Sequence, residues 1–123
     1  FPAITIGLWS TAVLNLNNLR DHVNDKKSLK NTTVVKLGFQ RAKFYHAFLI
    51  LGGFAAWLLV IATFAFLTFN FLLSLALVPS LLLFPHLKRV FFNENPKDLD
   101  PELKKVALIT CSSAILFSLL INL

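Results

Sequence analysis

Charged and apolar positions alternate in long blocks along this chain. From Phe44 to Leu87 there are 44 consecutive residues without Asp, Glu, Lys or Arg. As one helix that run would be about 66 Å long, roughly twice the hydrocarbon thickness of a bilayer. It is therefore predicted to fold back, and Thr68-Phe69-Asn70 is the cluster near its middle that suits a turn. Two spans follow, 44–67 and 71–87, the second carrying Pro79 and Pro85. Uncharged blocks at 2–19 and 106–123 give two more. The last has a clear start, with Asp100 as N-cap, Pro101 at the first helical position and Glu102 in the first turn. The pattern predicts an all-α integral membrane bundle of about four transmembrane helices. The loops expected between them cover 20–43 and 88–105.

Composition supports that class and removes others. The 123 residues are 56% hydrophobic and 15% charged, against about 25% charged in a typical soluble domain. The net charge of +6 is confined to the two loops rather than spread over a polar surface, which excludes a nucleic-acid module. A two-helix hairpin puts both loops on one side, and the positive-inside rule makes that side cytoplasmic, in a multi-pass inner-membrane protein. Cys111 stands alone in an apolar run, so neither a disulfide framework nor a zinc spacing is present. The chain has no methionine and opens on Phe1-Pro2 within an apolar block, so the reading expects a longer chain whose N-terminal half is missing here.

The chemistry concentrates between Asn15 and Gly38, in NLNNLRDHVNDKKSLKNTTVVKLG. Asp21 and Asp25 are spaced i, i+4. If the first span continues as a helix, Asn17, Asp21 and Asp25 share one face, a turn apart. Two carboxylates are too few for an all-protein cation cage but suit Mg²⁺, which takes one or two carboxylates plus waters and phosphate oxygens. Arg20, Lys26, Lys27 and Lys30 lie around them to balance a diphosphate. The plainer alternative is a solvated loop whose lysines meet anionic lipid. Asn15, Asn17 and Asn18 weigh against it, since amides near the end of an apolar helix are costly without partners or a polar cavity.

This stretch resembles the second aspartate-rich motif of the UbiA superfamily of intramembrane aromatic prenyltransferases. The similarity lies in Asn17-Asn18-Leu19-Arg20-Asp21, Asp25, Lys30-Asn31-Thr32 and Val34-Val35-Lys36-Leu37-Gly38, and continues more weakly through Arg41-Ala42 and Tyr45-His46-Ala47. Within the superfamily it is most similar to the branch that prenylates 1,4-dihydroxy-2-naphthoate in menaquinone biosynthesis. The resemblance implies a catalytic pair, Asp21 and Asp25, holding Mg²⁺ against a polyprenyl diphosphate. It implies that Arg20 and Lys30 contact the diphosphate, with Asn17 and Asn18 at the polar end of the cavity. The metal would stabilise the leaving group, and the aromatic acceptor would attack the allylic cation, inside a bundle that excludes water. One departure is Leu29, where the family usually has glycine before the lysine. Another is the absence of the family's first motif, N-D-x-x-D-x-x-x-D, so the piece is expected to be inactive alone.

Other groups are weaker candidates. His22 neighbours Asp21 but points about 100° away on a helix. His46 and His86 are expected as anchors where spans meet the interface. Ser112 and Ser113 beside Cys111 lack a base, and Trp9 and Trp57 are expected in packing or in an interfacial aromatic belt. Gly52-Gly53 is expected to let a neighbouring helix approach. Phosphotransferases of CDP-alcohols need a D-G…A-R run that is absent. An accessory subunit or transporter using Asp21 and Asp25, or a prenyltransferase with a hydroxybenzoate acceptor, are the remaining alternatives.

Overall fold

A computed structural model describes residues 2–123. Helix α1 covers Pro2–Lys27, a short α2 Thr33–Leu37, and α3 Phe39–Thr68. After the turn, two 3-10 stretches, Phe71–Leu77 and Pro79–Leu82, run into α4, Leu83–Phe92. A further 3-10 turn, Pro96–Leu99, leads into α5, Asp100–Leu120. No strand occurs among the described residues. The segments 39–68, 71–92 and 96–120 are long and apolar enough to cross a membrane. Of the four expected spans, only the first falls outside that set. Its helix is long enough at 26 residues, but it carries Asn15, Asn17 and Asn18.

The turn forms where expected. Phe69 takes a left-handed conformation with φ 53°, and the Asn70 side chain accepts from the amide of Leu72. Asn70 Nδ2 also donates to the Leu120 carbonyl at 2.9 Å, tying this turn to the end of α5. The second span is not the continuous α-helix expected over 71–87. Pro79 and Pro85 each remove an amide donor and crowd the carbonyl four residues earlier, so the chain winds as 3-10 turns before α4 begins. Asp100 is likewise not the N-cap. Leu99 takes that place and Asp100 is the first helical residue.

The exterior differs from that of a protein in water, and the mostly apolar core also admits polar groups. Phe44, Phe48, Leu59, Phe66 and Leu67 of α3 face outward, while Thr5, Asn15, Lys43, His46, His86, Glu102 and Ser113 are buried among the helices. Such an exterior is unfavourable in water and well solvated by lipid. Inside, Trp9 and Trp57 pack edge to face at 6.2 Å, each donating its indole N–H to a backbone carbonyl, of Ile50 and Ala76 respectively. Gly53 permits this: a Cβ there would lie 2.4 Å from Trp9 Nε1. The expected close approach therefore occurs at Gly53, between α1 and α3. Lys43, at the end of the expected loop 20–43, is instead buried and donates to the carbonyls of Phe91 and Asn93 at the end of α4, where a cation also suits the helix dipole.

Candidate functional site

Helix α1 does continue past Leu19, to Lys27, so Asn17, Asp21 and Asp25 lie on successive turns. Arg20 organises the first two. Its Nε and Nη2 grip both oxygens of Asp21, at 2.9 and 2.8 Å, and Nη2 also donates to Asn17 Oδ1 at 2.8 Å. Its Nη1 reaches Asp100 Oδ1 at 2.8 Å, across to the first residue of α5. The guanidinium hydrogen bonds hold the Asp21 carboxyl below its ordinary range despite partial desolvation, and hydrogen bonds to Asp21 and Asp100 raise Arg20 in turn.

Asp25 is built into the end of the helix. The Lys30 amide donates to the Asp25 carbonyl at 2.9 Å, and the Leu29 amide to that of Lys26 at 3.3 Å. This is the pair of bonds that defines a Schellman helix end. The turn swings Lys30 back, so that its ammonium lies 3.2 Å from Asp25 Oδ1. Asp25 is 5% exposed, and Lys30 covers it from solvent. Leu29 occupies the left-handed position of that motif, with φ 56°, which explains why glycine suits it. Asn18 is half-buried and outside this network. Asn15 serves packing, donating to the Ala42 carbonyl at 3.1 Å.

A cleft of about 480 Å³ opens beside Arg20 and Asp21, bounded also by Asn24, Lys27, Lys97 and Asp100. The structure therefore joins Asn17, Arg20 and Asp21 into one cluster and Asp25 with Lys30 into a second, one turn on. Lys97 and Asp100 complete the cleft from the other charged segment. The sequence reading missed both, because Asp100 has an equally good local reading as a cap. Among the described residues, no three His, Cys, Asp or Glu side chains converge as a metal cage. Carboxylates on adjacent turns are the donor type that Mg²⁺ takes alongside phosphate and water, while here both Asp21 oxygens are held by Arg20 and Asp25 is paired with Lys30.

A second polar cluster runs through the bundle, and here the reading of His46 and His86 as interface anchors is corrected. Both are buried, and their Nε2 atoms lie 2.8 Å apart. His86 Nδ1 is 2.8 Å from Glu102 Oε2, while the other oxygen of Glu102 accepts from Arg89 at 3.0 Å and from Lys105. With His86 Nδ1–H donating to the carboxylate, His86 Nε2 accepts from the His46 Nε2–H. Nothing in the spacing of His46, His86 and Glu102 along the chain reveals that they meet.

The model of the UbiA prenyltransferase family matches residues 1–120. This chain belongs to that family. It is 38% identical over 118 residues to a 1,4-dihydroxy-2-naphthoate octaprenyltransferase of Haemophilus influenzae, covering 96% of this chain and 37% of the relative. It is 54% identical over 52 residues to the protein of the same name in Escherichia coli K12, covering 42% of this chain and 17% of that relative. The UbiA chain thus spans little more than a third of the length of the first of these. No solved structure matches it.

Proposed function

We propose that these residues form one half of the substrate site of an intramembrane enzyme that transfers a polyprenyl group from polyprenyl diphosphate to 1,4-dihydroxy-2-naphthoate, in menaquinone biosynthesis. The observation carrying this reading is the 38% identity, along 96% of the chain, to a naphthoate octaprenyltransferase. Asp21 and Asp25 would hold Mg²⁺, which would neutralise the diphosphate leaving group. Arg20 already spends four N–H bonds on Asn17, Asp21 and Asp100. A diphosphate oxygen would take it by displacing Asp100, the most exposed of these partners. Lys27 and Lys97 line the same cleft as further cations, and Lys30 turns from Asp25 toward the phosphate. The apolar exterior would solvate the isoprenoid tail, and α1 would act as the fourth span, with both charged segments on the cytoplasmic face of the inner membrane. The rest of the site lies outside these residues, so the piece alone is inactive.

The test uses the intact enzyme in detergent, with labelled polyprenyl diphosphate and a Mg²⁺ titration. Asp21→Asn and Asp25→Asn should each lower transfer by about 100-fold or more. Undiminished activity in both would overturn the site. Transfer to hydroxybenzoate in preference to the naphthoate would overturn the acceptor.

A further inference from the structure

Glu102 and Asp100 sit two residues apart on α5, about 200° around the helix. Asp100 meets α1 through Arg20, whereas Glu102 meets α4 through His86 and Arg89. The Glu102 cluster is thus on the opposite face of α5 from the Asp21 cleft. It stands at the head of a separate groove of about 380 Å³ between α4 and α5. At one end are Arg89 and Lys105, both substantially exposed and both leaning on the same buried carboxylate. Leu82 and Pro85 lie seven and four residues before Arg89, and Leu108 and Ile109 three and four after Lys105. Because α4 runs toward the charged segment and α5 away from it, all four apolar residues lie on the membrane side of the two cations. Fixed cations at the interface above an apolar trough match one kind of amphiphile.

We propose that this groove is a binding site for an anionic glycerophospholipid, its phosphate between Arg89 and Lys105 and an acyl chain against Leu82, Pro85, Leu108 and Ile109. Two cations share one carboxylate, so the cluster keeps a positive charge. Glu102 fixes their positions in advance, and each retains N–H donors beyond its bond to Glu102. His86 holds the other carboxylate oxygen, which fixes the orientation of Glu102 beneath the two cations. On the side away from the membrane the Asp98 carboxylate faces the same cations across a second cleft. The phosphate therefore seats on the membrane side. The trough lies between two segments long and apolar enough to cross a membrane, where a lipid chain is the abundant occupant.

Electron spin resonance on the intact enzyme in phosphatidylcholine vesicles provides the test, with trace spin-labelled phosphatidylglycerol or spin-labelled phosphatidylcholine. The motionally restricted fraction should favour phosphatidylglycerol about fivefold. The preference should vanish in the Arg89→Gln/Lys105→Gln double variant and persist in Lys36→Gln/Arg41→Gln, which removes two exposed cations elsewhere. Leu108→Trp, which fills the trough and leaves the charges, should reduce it as well and serves if the double variant does not fold. Equal restriction of the two lipids, or a preference the double variant keeps, would overturn the proposal. Displacement of the labelled lipid by farnesyl diphosphate would also overturn it, making the groove a route for substrate.

Discussion

Leu29 stands at φ 56°, a conformation that costs a side chain roughly 1–2 kcal/mol, and its own side chain is 89% exposed. An exposed side chain gains little packing to offset that strain. Leu29→Gly should therefore raise stability by about 0.5–1 kcal/mol in thermal unfolding of the intact enzyme, while Leu29→Ala leaves it unchanged. The same turn sets Lys30 over Asp25, so the glycine variant should keep transfer activity. At Asp21 the prediction concerns pH. Its carboxyl is held below the ordinary value by Arg20, so the ion pair contributes fully above the unfolded-state pKa. That contribution is lost as pH falls through the lower, folded-state value. The difference in melting temperature between wild type and Asp21→Asn should be largest near neutral pH and close in acid. A difference that widens on acidification would contradict the Arg20 pairing.

Helices were legible in the sequence wherever one physical rule dominated. The 44-residue uncharged run had to fold back, and the turn formed at Phe69 and Asn70. The i, i+4 spacing of Asp21 and Asp25 needed only the continuation of α1, and that helix does continue. What stayed hidden depends on contacts between elements. Arg20 to Asp100 spans 80 residues and His46 to His86 spans 40, and no local pattern encodes either. The 3-10 winding before α4 was in principle visible in Pro79 and Pro85, whose effect on the preceding carbonyls outweighed apolar continuity. At this scale the α1–α3 contact is testable. Gly53→Ala would force the added methyl against Trp9 and should cost about 1–3 kcal/mol. Gly52→Ala, which meets only Leu8 Cδ1 at 3.7 Å, should be close to neutral.

The molecule as a whole exposes many large apolar side chains around a core that is itself mostly apolar, and such an exterior is one that a lipid solvent stabilises. The intact protein should stay with the membrane pellet after alkaline carbonate washing and require detergent for release. Recovery in the aqueous fraction would contradict that placement. Closure of the bundle also has a timetable. The contacts that seal it, Arg20 to Asp100 and Asn70 to Leu120, join early residues to the last helix. At roughly 5–20 residues per second on the ribosome, Arg20 waits about 4–16 s before Asp100 is made, 80 residues later. Throughout that interval the Arg20 guanidinium has only Asn17 and Asp21 of its own helix to bind. The arrival of α5 is then the event that ties Arg20 to Asp100 and Asn70 to Leu120.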